Sequence, residues 1–599
     1  MTANRFESPF ELNGPEGVDG WEDLYSPSSS FGEARRNYED NRFWFWDSMH
    51  WGHALTPWDA YFFEVALASL SQMNSRHYRI PPADGVDFRI LYGYAYLSPV
   101  GVDPSKIEDR VPQFMERAGF YFGNWNDLYD RWLDKVKDTI ARIEALDFSP
   151  LPEMEDLEVV TGGVGLGSGF ELLKSYHQFK DLVLEAWNYH FEFLNLGYAA
   201  YLDFFGFCKE VFPSIPDLGI AKMVAGVDVD LFRPNEELKT LARKAIDLGI
   251  ARAFDDPEHV SLDGAAGAAG AQWQAAWDAV ENPWFNFTSG NGFYHFDKIW
   301  KQERSIPYGF IRDYIAKIEG GEDITRPIEA ITAERDRIVA EYRDLLSNDE
   351  QREAFDSKLG LARVVFPYVE NHNFYIEHWT MSVVWQKVRE LGTTLAKDGL
   401  LAEDDDLLFV RPDEVDQILW DYYANWAVNA PTVSAAKWGP IVERRRAIHA
   451  KLSDWKAPKA LGEPPEVITE PFTIMLWGIT SESVASWLGT GSDDGITGMA
   501  ASPGIAEGTA RLVFSPEEVG DLQEGEILVA PITAPSWAPV FPKIRACVTD
   551  IGGMMSHAAI VCREYGVPAV TGTGFGTNMI STGDRIRVDG SGGTVTILG

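Results

Sequence analysis

Cysteine is scarce: Cys208, Cys547 and Cys562 are the only three in 599 residues. They are too few and too widely spaced for a disulfide framework or a cysteine-rich metal cluster. Basic residues are also outnumbered, with 52 Lys and Arg against 91 Asp and Glu, leaving a formal charge of −39. That balance opposes nonspecific attraction to nucleic acid or to an anionic membrane surface. Any phosphate group would have to be held by a local device rather than by a general basic field. No apolar run approaches the length of a membrane span and no leader-like segment opens the sequence, so the expectation is a cytoplasmic protein with neither a nucleic-acid nor a membrane partner. A phosphate-loop lysine is missing as well. The glycine-dense stretch TGGVGLGSGF, Thr161 to Phe170, lacks the Lys-Ser/Thr ending and the flanking elements, and reads as a flexible loop or lid.

What the chain has in abundance is aromatic residues, 21 Trp, 22 Tyr and 35 Phe, which must be buried in core or in a pocket. Its length allows several domains, each with a full core. From about 41 to 455 the apolar residues recur at helical spacing, as in IEAITAERDRIVAEYRDLLSN and SVVWQKVRELGTTLAKDGLL. Between 456 and 496 Pro and Gly punctuate the sequence in the manner of a linker or hinge. After 497 short strands alternate with short helices and end in DRIRVDGSGGTVTIL, a strand pair around a Gly-rich turn. The expected organisation is multidomain: an aperiodic N-terminal arm (1–40), a mainly α-helical substrate domain (41–455), a linker (456–496) and a small α/β domain (497–599).

The most informative stretch is TDIGGMMSHAAIVCREYGVPAVTGTG, Thr549 to Gly574. It reads as strand, loop, helix, strand. Gly552 and Gly553 permit a tight turn, Ser556 is an N-cap candidate, and the helix runs from His557 to Tyr565 with Gly566 past its end and Pro568 barring continuation. A helix N-terminus presents unpaired N–H groups and partial positive charge, which suits a phosphate and disfavours a protonated imidazole. His557 therefore sits where a phosphohistidine would be made and held.

These residues, together with GMAASPGIAEGTARLVF (Gly498 to Phe514) and GEILVAPITAPSWAPVF (Gly525 to Phe541), resemble the mobile phosphohistidine domain of phosphoenolpyruvate-utilising enzymes. That family includes pyruvate phosphate dikinase, phosphoenolpyruvate synthase, rifampin phosphotransferase and phenylphosphate synthase. Met555 and Cys562 depart from the usual pattern without removing the nucleophile. The resemblance implies a small swivelling domain in which His557 is the covalent nucleophile, Gly552, Gly553, Ser556 and the helix N-terminus hold the phosphoryl oxygens, and Arg563 guides phosphate or makes a salt bridge. No room for an ATP-grasp domain is expected before 41, nor for a phosphoenolpyruvate-binding barrel after 599. The implied reaction therefore draws on ATP and Mg²⁺ at a partner ATP-grasp subunit and yields AMP, phosphate and a phosphorylated acceptor.

Within the helical part, HALTPWDAYFFEV, GYAYLSP, VENHNFYIEHW and RELGTTLAKDGLLAEDDDLLFVRPDEV occur in an order similar to the substrate domain of the rifampin and phenylphosphate enzymes. The layout is most like the larger subunit of phenylphosphate synthase, so a phenolic acceptor leads. A split rifampin-type phosphotransferase and a nonenzymatic phosphocarrier are the alternatives. In VENHNFYIEHW, read as a regular helix, Asn371, Phe374, Tyr375 and His378 share one face. His372 or His378 is the expected acceptor base, with Asn373 beside it, against a reading of satisfied polar residues in a helical core. Asp47, His50 and His53 are spaced three apart but interrupted by Gly52. A structural role leads for these histidines, a pocket role follows and a metal role comes last. WFNFTSGNGFYHF (Trp284 to Phe296) mixes aromatic and small polar residues without period, so that His295 joins the pocket candidates although ordinary loop packing is favoured. No tightly bound cofactor or resident metal is expected.

Overall fold

A computed structural model describes residues 5–262, 267–468, 470, 472–489 and 496–598. Two compact units emerge. Unit 1 comprises 1–192, 293–295 and 380–465, and unit 2 comprises 193–292, 296–379 and 466–599. The helical part is thus shared between the units, and the division follows neither edge of the expected linker.

In unit 1, β1 (Phe43–Trp46), β2 (Ala83–Leu91), β3 (Tyr94–Gly101) and β4 (Ala460–Gly462) form an antiparallel sheet in the order β2-β3-β1-β4. A two-residue turn joins β2 to β3, with Tyr92 and Gly93 both at positive φ, the conformation a tight hairpin demands. The helix Pro57–Gln72 starts with a full capping box, Thr56 and Asp59, and with Pro57 at its first position. The segment expected to be an N-terminal arm is structured from residue 5 onward: Trp21, Leu24 and Tyr25 are buried, and Phe6 N–H donates to Gly462 O. Its polar, aperiodic sequence hid these anchors because Trp21 and Leu24 share one short 3-10 turn, with Tyr25 just after it, rather than recurring in a repeat. Residues 456–465, expected as linker, likewise supply β4, which pairs with β1.

Unit 2 combines helices with an eight-stranded mixed sheet. Its strands are β5 (Ile496–Thr497), β6 (Met499–Ser502), β7 (Ile505–Leu512), β8 (Ile527–Ala530), β9 (Ala546–Thr549), β10 (Ala569–Thr571), β11 (Arg585–Asp589) and β12 (Thr594–Ile597), in the order β5-β12-β11-β7-β8-β9-β10-β6. The middle run β7-β8-β9-β10 is parallel. Ile527, Val529, Val548, Val570, Ile586 and Val588 fill its core, the near-continuous apolar runs that a covered parallel sheet requires. The helix His557–Tyr565 is the crossover between parallel β9 and β10, so its N-terminus lies at the carboxyl ends of the strands, the usual ligand end of such a sheet. Of the remaining linker, Thr473–Trp477 forms a π-helical turn and Ser481–Trp487 a short helix. Residues 490–495, where the expected hinge ends, lie outside the described residues.

The aromatic load is mostly core. Trp44, Trp51, Trp58 and Trp132 in unit 1, and Trp273, Trp277 and Trp300 in unit 2, are fully buried, and Trp273 and Trp277 stack with ring centroids 5.8 Å apart. Among the described residues no helix is long and apolar enough to cross a membrane. Arg445 is the most deeply buried arginine of unit 1 among the described residues. It donates to Glu414 through both terminal nitrogens, at 2.6 and 2.9 Å, and to Phe409 O at 2.9 Å. Arg445→Ala removes two charge-assisted hydrogen bonds from Glu414, which keeps Arg411 at 3.3 Å, and should cost about 1.5–3 kcal/mol, read as a lower midpoint in chemical unfolding. Replacing both residues by apolar ones of similar volume should recover most of the loss.

Candidate functional site

The loop that follows β9 turns at Gly552, whose φ of +126° excludes most side chains. Helix formation then begins at His557, as the sequence requires. Ser556 occupies the N-cap position, yet its hydroxyl makes no cap bond. It donates instead to Gly553 O at 2.8 Å, which tightens the turn. At the other end Gly566 takes the left-handed conformation with φ 67°.

The His557 ring is half-buried. Its Nδ1 lies 3.2 Å from Thr533 Oγ1, and Phe541 meets it edge-on with centroids 6.3 Å apart. Burial pushes its pKa down to about 3, so the ring is neutral and keeps a lone pair at physiological pH. With Nδ1 turned toward Thr533, Nε2 is the nitrogen left for chemistry.

The expected phosphate cradle is arranged differently from the sequence reading. Gly552 N–H donates to Trp477 O at 3.3 Å, Gly553 N–H to Leu476 O at 2.9 Å and Met555 N–H to Met475 O at 3.2 Å. The loop amides are therefore held by the carbonyls of the π-helical turn. Contact there is backbone to backbone, since a Cβ on Gly553 would lie 2.1 Å from Met475 O. Arg563 does not face the helix N-terminus either. Its guanidinium donates to Ala501 O at 3.1 Å and to Met554 O at 3.0 Å, tying the loop and β6 to the helix. Both differences have one cause. Sequence shows which amides and cations exist, but their partners come from segments remote in the chain.

VENHNFYIEHW is helical, but Asn373–Thr380 is π-helix, a form concentrated at functional sites. With i→i+5 hydrogen bonding, the face expected for a regular helix is split. Asn371 accepts from the N–H groups of Asp230, at 2.6 Å, and Leu231, while Tyr375 OH donates to Asp230 Oδ2 at 2.9 Å. Phe374 and His378 instead meet Phe287, whose ring stacks on His378 with centroids 3.9 Å apart. The same change brings His372 and Glu377, five residues apart, to 3.9 Å. The Asn373 amide, oriented to satisfy its neighbours, donates to His372 Nε2 at 3.0 Å and to Glu377 at 3.2 and 3.3 Å.

His378 is fully buried. Its Nδ1 accepts from Thr288 N–H at 3.3 Å and lies 2.8 Å from Thr288 Oγ1. An amide can only donate, so the ring proton belongs on Nε2, a buried atom with no hydrogen-bond partner. Burial first, and the nearby His557 second, push the His378 pKa down to about 3. The loop carrying Thr288 also touches the segment between β8 and β9, for Ser536 Oγ donates to Ser289 O at 2.5 Å. Glu370 lies in the same buried region. Burial, opposed by Arg563 and reinforced by Glu564 and Glu377, pushes its pKa up to about 8.

Unit 2 thus holds His557, His378, His372, Asn373, Gly552, Gly553, Ser556 and Arg563. The other pocket candidates belong to unit 1. There the His50 Nδ1 lies 3.0 Å from Asp47, and His53 exchanges backbone hydrogen bonds with the Tyr294 hydroxyl. His295 Nδ1 pairs with buried Asp59 at 3.0 Å. Burial works against the His295 cation, but the charge and hydrogen bond of Asp59 outweigh it and the pKa is raised. A surface cleft of about 450 Å³ beside the glycine-rich loop is lined by Asp147, Glu158 and Glu171 among others and has no Lys or Arg in its wall, which suits a loop rather than a phosphate site. Sequence reasoning assigned nothing to Thr533, Thr288, Phe287 or Glu377. Thr533 stood in a quoted motif and the 287–288 pair in a noted aromatic loop, but only the fold brings them to the two histidines.

In NMR of ring-labelled protein, His557 and His378 should remain neutral and flat from pH 8 to pH 5, while His295 titrates above its ordinary 6.5. Each low-pKa ring is protonated in the unfolded chain below about pH 6.5 but not in the folded one, so folding stability falls with pH below that point, by up to about 1.4 kcal/mol per pH unit for each ring. A titration of His557 centred near 6.5 would contradict its burial.

Comparison with known proteins agrees with this geometry. Over 302 residues, half of this chain and 34% of the relative, the sequence is 28% identical to an uncharacterized phosphotransferase, YvkC, of Bacillus subtilis (strain 168). A match of 24% identity spans 579 residues, 94% of this chain but 14% of the chondramide synthase cmdD of Chondromyces crocatus. Rifampicin phosphotransferase of Bacillus cereus (strain ATCC 14579) is 37% identical over 153 residues, 26% of this chain and 17% of that enzyme. The chain spans about a third or less of the length of these relatives. Residues 522–593, which include His557 and its helix, match the family described as PEP-utilising enzyme, mobile domain. The similarity thus identifies residues 522–593 as a mobile domain of the kind found in PEP-utilising enzymes.

Proposed function

We propose that the protein is a phosphotransferase in which His557 receives a phosphoryl group from ATP, through a partner ATP-grasp subunit that holds ATP and Mg²⁺, and passes it to the hydroxyl of an aromatic, phenol-type acceptor. The observation that carries this reading is the pairing, within one compact unit, of a neutral His557 at a helix start with a buried His378 whose Nε2–H is unpartnered. A buried donor left without a partner is costly unless a ligand satisfies it, and a transferring phosphoryl oxygen is such a ligand.

In the first half-reaction His557 Nε2 attacks the β-phosphorus of ATP, the bond to the α-phosphate oxygen breaks and AMP leaves; water then takes the terminal phosphoryl group as phosphate, and one phosphoryl group stays on Nε2. In the second the acceptor oxygen attacks, the P–N bond breaks and its electron pair returns to the imidazole. His378 donates from Nε2 to a phosphoryl oxygen, where negative charge must be stabilised. This replaces the expected base role for His378, since its free nitrogen carries the proton. The acceptor proton goes to His372 Nε2 as the Asn373 amide releases that nitrogen, and Glu377 stabilises the resulting imidazolium. A phenol has a pKa of about 10, as Tyr does, so a positioned base contributes, typically 10²–10⁴ in rate. Because the amides of Gly552 and Gly553 are held by 476–477, holding phosphate on that loop requires this segment to withdraw. The swivelling of the mobile domain is part of the same proposal.

A second reading, a split rifampicin-type phosphotransferase, is supported by the 37% identity with that enzyme. A nonenzymatic carrier is less well supported, because it has no use for the buried His378 and the His372–Asn373–Glu377 group. The reading is tested by incubating the protein with ATP, Mg²⁺ and a candidate ATP-grasp protein, and screening phenols and rifampicin by mass spectrometry.

His557→Ala should abolish an acid-labile, base-stable protein phosphate and all turnover. Retention of wild-type turnover would end the proposal. His378→Ala and His372→Ala should leave His557 phosphorylation intact and slow transfer to the acceptor by about 10²–10³. The loss in His372→Ala alone should diminish toward high pH, as the phenol ionises by itself.

A further inference from the structure

The helix that carries His557 has a second feature that the transfer chemistry does not use. Seven residues after the histidine, about 10 Å along the axis, Glu564 stands in the last turn. A carboxylate there opposes the helix dipole, and this one is buried, 4% exposed. Its partners come from the helical part of unit 2. Arg326 Nη2 forms a short ion pair with Glu564 Oε2, and Gly226 N–H donates to Oε1 at 3.1 Å. Arg326 is fixed in turn, its guanidinium 4.2 Å from the centroid of the Phe232 ring. Beside it, Asn235 Nδ2 donates to Tyr565 OH at 3.1 Å and Tyr314 OH donates to Asn235 Oδ1 at 2.5 Å. A separate ion pair, Lys543 with Asp313 at 3.0 Å, spans the same two parts.

We propose that Glu564 is a positioning residue: its pairing with Arg326 and the Gly226 amide seats the His557 helix in register on the helical part of unit 2 for the transfer step. This rests on the reading of His557 as the phosphoryl carrier. The type of contact suits a seat that must be left again. An apolar patch of equal area would hold the helix without regard to register, whereas a carboxylate between one guanidinium and one amide is satisfied in a single position. Burying both charges also costs hydration that roughly offsets their attraction, so the contact selects a register without locking it. When the mobile domain departs, both groups return to water.

The test separates seating from chemistry. Spin labels at Arg312→Cys and Glu524→Cys report the separation of the two parts, and the native cysteines are buried. With Glu564 intact a single short distance is expected. Glu564→Lys should broaden or lengthen it and slow acceptor phosphorylation at least tenfold, with His557 phosphorylation by the partner unchanged. The exchanged pair E564R/R326E should restore both. If Glu564→Lys does not fold, judged by far-UV circular dichroism, Glu564→Gln is measured in its place with the same expectations at smaller amplitude. An unchanged distance in the folded variant overturns the seat whatever His557 carries. A broadened distance with wild-type transfer overturns its part in positioning. If no phosphohistidine forms, the carrier reading fails while the distance measurement still decides the seat.

Discussion

Two imidazoles that stay neutral, one fully buried and one half-buried, dominate the candidate site of unit 2. Neither His557 nor His378 gains a carboxylate to hold a proton, and both are neutral well below physiological pH. For His557, neutrality preserves a nucleophilic lone pair. For His378, the Thr288 amide adds a directional constraint, placing the proton on Nε2 and turning a residue type usually read as a base into a donor. The same apolar walls, Phe287 on one ring and Phe541 on the other, exclude part of the solvent from both.

That exclusion depends on how the loop before His557 is held. Its glycine turn has amides of the kind that bind anions, and they are paired with carbonyls of the π-helical turn 473–477. A segment that sequence suggests is linker therefore closes over the loop. Those amides are free to meet an anion only when the segment is elsewhere. Arg563, buried and bound to two carbonyls, stiffens the same loop from the opposite side.

The acceptor side depends on one irregularity. Without the π-turn after His372, residues 372 and 377 would point about 140° apart on a regular helix. With it, they and Asn373 form one hydrogen-bonded group, while Asn371 and Tyr375 are diverted to the turn at Asp230.

Local rules were sufficient for the strand-loop-helix-strand around His557. Glycine at the turn, helix limits at His557 and Tyr565, Gly566 in the left-handed conformation and the β11–β12 pair all follow from residue type and spacing over a few positions. The mobile-domain family was legible for the same reason, since its signature is a contiguous string. What only the tertiary structure decided involves partners distant in sequence: Thr533 on His557, Thr288 on His378, residues 475–477 on the glycine loop and Arg326 on Glu564. The π-turn belongs with these. Periodicity assumes regular hydrogen bonding, and a single i→i+5 turn is favoured by packing around it rather than by its own residues. Sequence thus determined the place of His557 and the local fold that presents it. Long-range packing decided its protonation, its neighbours and which amides remain to meet a phosphate, because desolvation and hydrogen-bond pairing are properties of surroundings rather than of spacing.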